Sequence, residues 1–403
     1  MEYIAARALL FKDGKVLMVR EKGKRHWSFP GGGVKEDSDI ESGLKREMLE
    51  ELSLKITNIR KYCEYTHVWS KSGDIRRDVF FLVDADVDTI KIDNEIEECV
   101  WFDYGFQEYN LPMNSRYTDR SIWERLLNDG LIKEPFRIEG DDIDRIQKIC
   151  EEASQIILKY YGQSYDVEYK MKNHKAPVTQ ADKESDKLIS SRLKEYYPDF
   201  GLVTEEGDND WKEYTWCVDP LDGTRGFVDK NGCFQILVGL MYHNYPIWGF
   251  IYSPIRKIQY YGGVNIPATK VVNSKKIKLS VVPNNLSGNI LILPKEKNLK
   301  FVPSNLPRLK LDKIFARDNS DYESKHIFMF IVENEANLRI DLRKGIFGVW
   351  DMCAPQAILQ AANGFISDLE LFPLRYYVGE RFLKTGFIVT DSIERARSVL
   401  ENL

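Results

Sequence analysis

Cysteine and histidine are scarce in this 403-residue chain, and neither is grouped. The six cysteines (Cys63, Cys99, Cys150, Cys217, Cys233 and Cys353) contain no C-x-x-C pair. That excludes a cysteine-built zinc ribbon or a dithiol redox motif and predicts reduced core residues in a cytoplasmic protein. The five histidines, His26, His67, His174, His243 and His326, show no metal-ligand spacing. No apolar run approaches the ~18 residues of a membrane span. The opening MEYIAARALLF has no basic leader and runs into a KDGK turn, so it reads as a strand and hairpin and not as a signal peptide. A surplus of one charge is missing too. With 57 basic and 62 acidic residues the net charge is −5, which argues against a nucleic-acid or membrane surface. Internal repeats and low-complexity tracts are also absent from the sequence.

What is present is apolar mass and clustered acid. Hydrophobic residues make up 43% of the chain, enough for real cores, and at roughly 150 residues per domain the length predicts two or three domains. The most informative run is WCVDPLDGT, residues 216–224. It sets Asp219 and Asp222 around a proline turn at the end of a strand-like stretch, followed at once by Gly223 and Thr224. Two carboxylates so close repel unless a cation holds them, and an oxygen-rich cluster suits Mg²⁺, which also bridges phosphates. Main-chain N–H groups at a helix start can then approach a phosphate. Three further acidic motifs follow the same logic: KAPVTQAD with Asp182, GLVTEEG with Glu205 and Glu206, and GVWDMCAPQAILQAANG with Asp351. Singly, each has a plain alternative. Asp351 would cap a helix over 352–362, Asp219-Pro220 would make a turn, and Glu205-Glu206 would be a solvated pair.

Together, in this order from about Asp141 to the C-terminus, the four motifs resemble those of the inositol monophosphatase superfamily of Mg²⁺-dependent, Li⁺-sensitive phosphatases. The resemblance implies a layered αβαβα fold of the α+β class. It implies metal ligation by Glu205, Asp219, the Leu221 carbonyl, Asp222 and Asp351. Asp182 and Thr224 would orient the attacking water, and Gly223 and Thr224 would bind phosphate. Within the superfamily the DPLDGTRGFVDKNG and FLKTGFIVT stretches look most like CysQ-type 3′(2′),5′-bisphosphate nucleotidases. Arg225 would then lie near the substrate phosphate. The Ser-Arg-Ser-His and Gly-Ser-Ser-x-Lys segments of that subgroup are replaced here by ILPKEKN and SDYESKHIF, so inositol- and histidinol-phosphate phosphatases remain alternatives.

A second signal lies in GGGVKEDSDIESGLKREMLEELSL, residues 31–54. Ile40, Leu44, Met48 and Leu52 recur every four positions and predict an amphipathic helix over 40–52. Glu47, Glu50 and Glu51 share one face of it. The pattern resembles the Nudix box, matching it at Gly32, Arg46, Glu47, Met48, Glu50, Glu51 and Leu54. Ser38 stands in place of the box's first glutamate, and Ser53 in place of its last glycine. The resemblance implies an α/β fold with a mixed sheet between helices, and Mg²⁺ or Mn²⁺ on Glu47, Glu50 and Glu51. Glu47 or Glu51 would serve as catalytic base, Arg46 would orient a glutamate, and Gly32 would lie against the substrate. The expected activity is cleavage of a nucleoside diphosphate linked to another group. The departures leave a non-catalytic, nucleotide-sensing module as the alternative.

The expected organisation is a Nudix domain over 1–133, a linker over 134–140 containing Pro135 and Gly140, and the phosphatase over 141–403. Strands are expected over 3–11, 15–20, 79–87, 234–241 and 247–252, and helices over 120–128 and from 141 onward. The whole reads as a bifunctional phosphohydrolase acting on small phosphorylated molecules, with nothing to indicate its oligomeric state.

Overall fold

In the computed structural model the chain divides into two units, Met1–Arg137 and Ile138–Leu403. The structure describes residues 2–34, 39–68, 75–108, 120–163, 168–170, 176–285, 288–293, 311–316, 325–374 and 376–402. Ser38 lies outside them, as do most of the ILPKEKN segment and residues 320–324 of SDYESKHIF.

In the first unit the strand Glu2–Leu9 pairs parallel with Ile75–Asp84, which pairs antiparallel with Thr57–Val68. A second sheet joins Phe11–Lys12, Lys15–Glu21 and Ile96–Phe102, all antiparallel. The glycine-rich segment connects the two sheets. Ala6 and Ala8 donate to Gly32 O and Pro30 O at 3.0 and 2.9 Å, while Ser28 and Val19 exchange two 2.9 Å main-chain bonds. The helix Ile40–Leu52 has the bounds that its periodicity predicts, and it buries Gly43, Leu44, Met48 and Leu52. Each of the large apolar side chains is worth roughly 1.5–3 kcal/mol of burial. Asp39 caps the helix by accepting from Ser42 N at 3.1 Å. The helix Arg120–Asn128 docks through buried Trp123, whose ring stacks on Phe106 at 4.9 Å. The strand expected over 79–87 begins earlier and stops at Asp84, where Asp86 starts a single 3₁₀ turn, Val87–Thr89.

The second unit is layered. The helices Gly140–Tyr160 and Gln180–Tyr196 cover one face of an eight-stranded sheet. Its order is Asn209–Asp210, Gly201–Thr204, Tyr214–Asp222, Gln235–Tyr242, Tyr245–Ser253, Ile258–Gly263, Ile266–Val272 and Lys275–Lys278. Neighbours are antiparallel except Gly201–Thr204 with Tyr214–Asp222. The helix Val349–Ala361 covers the other face. Beyond it lies a five-stranded sheet, ordered Leu311–Ala316, Asn289–Leu293, Leu338–Asp341, Phe387–Thr390, Phe365–Ser367, with Ile393–Glu401 on its outside. This is the expected αβαβα layering.

Two sequence features bring the central helix close to the sheet. Gly239 and Gly249 face each other in register, and an added Cβ would lie 2.4 Å from Cys353 Sγ and 2.2 Å from Ala354 O respectively. Any side chain at these positions would push the helix carrying Asp351 away from the strand carrying Asp219. The six cysteines are free; Cys63, Cys150, Cys217 and Cys353 are buried. Among the described residues no helix is long and apolar enough to cross a membrane.

Candidate active sites

The strand Tyr214–Asp222 carries two of the carboxylates, and a bulge aims them. Asp219 pairs with Leu237 and Asp222 with Gln235, so three steps on one strand match two on the other. Residues three apart on a regular strand point to opposite faces. The extra residue, at a Pro220 that cannot donate to the ladder, brings both acids to one side. Asp351 reaches them from the helix Val349–Ala361. One carboxylate oxygen from each of Asp219, Asp222 and Asp351 lies within 4.8 Å of the others. Asp219 is fully enclosed and the other two are half-buried.

Such a cluster is electrostatically unfavourable alone. Burial, then the charges of Glu205, Asp222 and Asp351, push Asp219 well above the usual carboxylate range. Burial, Glu205 and Asp222 do the same to Asp351. Glu205 itself sits just past the strand Gly201–Thr204, tied by its own N–H to Val218 O at 3.1 Å. The donor set is hard oxygen throughout. It fits a small divalent cation of the Mg²⁺ type.

Asp351 has two roles. The helix starts at Val349, three residues earlier than the sequence pattern indicates, so Asp351 lies in its first turn and accepts from Gly348 N at 2.7 Å. The helix cap and the acidic cluster use the same side chain.

Beside the cluster, Asp182 lies in the first turn of Gln180–Tyr196, accepting from Thr179 N at 2.8 Å and Thr179 Oγ1 at 2.5 Å. Its other oxygen meets Thr224 Oγ1 at 3.2 Å, and that hydroxyl also lies 3.1 Å from Leu221 O. Burial pushes Asp182 up to about 7, opposed by the Thr179 bonds and reinforced by Glu206 and Glu205. Gly223 has φ +86° and caps the short helix Thr224–Val228; a Cβ there would meet Cys233 O at 2.6 Å. Arg225 is exposed and donates to Asp229 at 2.9 Å. Thr179 was not singled out from the sequence, although the T-x-x-D spacing of a capping box was its signal.

In the first unit Glu51 is largely buried and accepts from Gly31 N at 3.0 Å. Burial pushes it up to about 7, while the Gly31 bond and Arg7 pull it down. Arg7 also holds this loop, donating to Gly31 O and, at 3.2 Å, to Phe29 O. Buried Asp78 lies 3.6 Å behind the Arg7 guanidinium. Neither Arg7 nor Asp78 belongs to the box, and sequence spacing alone does not connect them to it. Gly32 faces Glu47: a Cβ would lie 2.4 Å from Glu47 Oε2. Arg46 binds both Glu47 and Glu50, the latter at 2.6 Å. Among the described residues, Glu47, Glu50 and Glu51 do not form a cluster as tight as that of Asp219, Asp222 and Asp351. Ser53 ends the helix at φ +55°, a left-handed conformation, with Leu54 N bonded to Met48 O at 3.1 Å.

Comparison with known proteins places both units in families. Residues 141–396 match the inositol monophosphatase family, and residues 1–116 match the NUDIX domain. The 3′(2′),5′-bisphosphate nucleotidase CysQ of Salmonella typhimurium is 26% identical over 253 residues, covering 62% of this chain and 99% of that protein. The CysQ of Escherichia coli K12 is 25% identical over the same length and coverage. Among solved structures, an inositol monophosphatase of Thermotoga maritima matches with a TM-score of 0.53 at 18% identity, over 65% of this chain and 97% of that one. SaIMPase-II with 2′-AMP bound matches with a TM-score of 0.50 at 22% identity, over 64% and 94%. These structural likenesses establish the fold of the second unit. The chain belongs to the inositol monophosphatase family of hydrolases and carries a Nudix domain ahead of its phosphatase unit.

Proposed function

We propose that the chain is a bifunctional, metal-dependent phosphohydrolase. Its second unit releases phosphate from a 3′(2′),5′-bisphosphate nucleotide, adenosine 3′,5′-bisphosphate being the expected substrate. The observation that carries this reading is the bulge that gathers Asp219, Asp222 and Asp351 next to the Asp182–Thr224 pair. Glu205, Asp219, Asp222, Asp351 and the Leu221 carbonyl would hold Mg²⁺. When bound, the cations neutralise the phosphate dianion, acidify water and stabilise the leaving oxygen. Asp182, near 7, can take a proton around neutrality, and the Thr224 hydroxyl orients the water that gives it up. The Gly223 and Thr224 main-chain N–H groups, at the start of the helix Thr224–Val228, would bind the phosphate, with Arg225 on the same turn. The nucleotide assignment draws on the CysQ relatives.

The first unit would cleave a nucleoside diphosphate linked to another group, using Mg²⁺ or Mn²⁺ at Glu47, Glu50 and Glu51, with Glu51 as base. Ser38, in place of the box's first glutamate, favours a second reading: a nucleotide-sensing module without turnover. That module would be joined to an inositol- or histidinol-phosphate phosphatase.

A linked assay tests these readings. Nudix cleavage of coenzyme A would yield adenosine 3′,5′-bisphosphate, which the second site would convert to AMP and phosphate. The intact chain should produce these in sequence, with Asp222→Asn stopping at the bisphosphate and Glu51→Gln preventing the first cut. Phosphate release from the bisphosphate alone, with coenzyme A and a panel of other diphosphates untouched, would support the sensing module. No phosphate release from any phosphomonoester would refute the phosphatase assignment.

A further inference from the structure

Arg381 belongs to none of the motifs, yet it joins two of the structures that carry the acidic cluster. The segment around it runs beside the start of the helix Val349–Ala361. Val349 N donates to Arg381 O at 3.0 Å, Leu383 N donates to Phe347 O at 2.9 Å, and Gly348 bridges Phe382. This is the turn in which Asp351 caps Gly348 N. The Arg381 side chain passes over Trp350, its guanidinium carbon 4.6 Å from the ring centroid. It then reaches the turn after the strand Gly201–Thr204, donating to Thr204 O at 2.7 Å, Glu205 O at 3.0 Å and Asp208 O at 3.1 Å.

Three carbonyls of one turn held by one guanidinium make a clamp. The turn has other ties of its own. Gly207 N and Asp208 N donate to Thr204 Oγ1 at 3.0 and 3.2 Å, and Thr204 N donates to Asp208 O at 3.0 Å. These fix the shape of the turn, whereas Arg381 links it to the helix that bears Asp351. The planar, five-donor guanidinium suits this work; a lysine ammonium has three donors but can neither stack flat on Trp350 nor hold them in a fixed planar fork. Burial lowers the Arg381 pKa, and the nearby charges of Glu205 and Glu206 oppose it.

We propose that Arg381 is a positioning residue of the phosphatase site, fixing the Glu205 turn relative to Asp351 so that Glu205 completes the cation site. The proposal rests on the metal-dependent reading above. It predicts that Arg381 governs cation affinity more than the chemical step, because the residue touches ligand-bearing backbone and no reacting atom.

The test uses the full chain, with Arg381→Lys and Arg381→Ala beside the wild type. Mg²⁺ binding is followed by calorimetry and by Mg²⁺-dependent melting, and phosphate release by initial rates across a Mg²⁺ series. Replacing a group that orients a metal ligand typically weakens the metal by about 10–100-fold. We expect a loss in that range for Arg381→Ala and a smaller but clear loss for Arg381→Lys, with kcat largely restored at saturating Mg²⁺. Adding Arg381→Ala to Glu205→Gln should weaken Mg²⁺ little further, since both act through Glu205. Unchanged Mg²⁺ affinity in Arg381→Lys overturns the proposal, as does full additivity with Glu205→Gln. Arg381→Lys provides the test if Arg381→Ala does not fold. A wild type that binds Mg²⁺ but hydrolyses no phosphomonoester refutes the functional reading, and the Mg²⁺ titrations still decide the role of Arg381.

Discussion

Thr224 Oγ1 lies 3.2 Å from Asp182 Oδ1 although the residues are 42 positions apart, so a hydroxyl at a helix start meets a carboxylate in the first turn of another helix. A hydroxyl has one proton to donate, and it has two acceptors here, Asp182 and Leu221 O. Thr224→Ser keeps that choice and should keep phosphate release within a few fold. Thr224→Val keeps the shape but removes the hydroxyl, and should lower kcat by about 10²–10⁴-fold, the usual worth of a positioned proton-transfer group. Steady-state rates with a melting-temperature control check this; equal rates for Ser and Val would show that the hydroxyl has no part in turnover.

Protons and cations should compete for the second site. Asp182 sits near 7 in the fold against 3.8 for an ordinary aspartate, and Asp219 and Asp351 are also raised. For an acid with a raised folded pKa, the folded state holds the extra proton. Its stabilising contribution is full below about 3.8 and is lost as pH rises through about 7. The metal-free unit should therefore lose stability from Asp182 between about pH 4 and about pH 7, with Asp219 and Asp351 acting in the same direction. Mg²⁺ should restore more stability at pH 8 than at pH 6, because at pH 6 it must displace protons. Melting curves in EDTA and in Mg²⁺ at both pH values measure this, and a Mg²⁺ shift that shrinks at high pH would contradict it.

Ser53 occupies a left-handed position where glycine is the usual helix terminator. A side chain there costs about 1–2 kcal/mol relative to the right-handed region. Ser53→Gly should stabilise the first unit by about 1 kcal/mol, part of that gain being offset by the freer unfolded chain. Denaturant unfolding of the intact chain should show the N-terminal transition moving up and the C-terminal transition unmoved. A downward shift would mean that the serine hydroxyl contributes more than its backbone conformation costs.

Gly32 and Glu47 make a tighter demand. A methyl group at Gly32 would lie 2.4 Å from Glu47 Oε2, so Gly32→Ala must move that carboxylate. The expected result is loss of diphosphate cleavage, or of nucleotide binding if the unit only senses, with phosphate release by the second unit intact. Rates and binding measured on one preparation of the full chain separate these outcomes. Unchanged function in both units would show that Glu47 can move without consequence.

These sites were legible in the sequence to different degrees. Apolar spacing alone gave the helix Ile40–Leu52 its bounds, because only one face of it is buried. The sequence pattern puts the start of the helix Val349–Ala361 three residues late, since nearly every position in it is buried and no periodicity marks its start. The strands Thr57–Val68 and Ile96–Phe102 were missed; bulges and half-buried charged residues break their alternation. The acidic motifs named their own residues, but not the bulge that aligns Asp219 with Asp222. Thr179 is marked only by its capping-box spacing, and Arg7 and Arg381 leave little trace because they act on backbone groups, which any sequence supplies.

The dual use of Asp351 allows a test in which stability and activity should move in opposite directions. Its carboxylate caps Gly348 N at 2.7 Å and also faces Asp219 and Asp222 within the cluster. Asparagine keeps a side-chain oxygen of nearly the same reach that can still accept from Gly348 N. It removes one negative charge and offers N–H donors to the remaining carboxylates. In EDTA, Asp351→Asn should therefore melt several degrees above the wild type. In Mg²⁺ the order should reverse, because the wild type gains from the cation and the variant has lost a ligand. Most phosphate release should disappear. Asp351→Ala separates the two roles, losing the cap as well as the charge, and should melt below Asp351→Asn under every condition. If Asp351→Asn is destabilised in EDTA as much as Asp351→Ala, repulsion within the cluster is not what strains the metal-free site, and the cap alone accounts for the residue's contribution to stability.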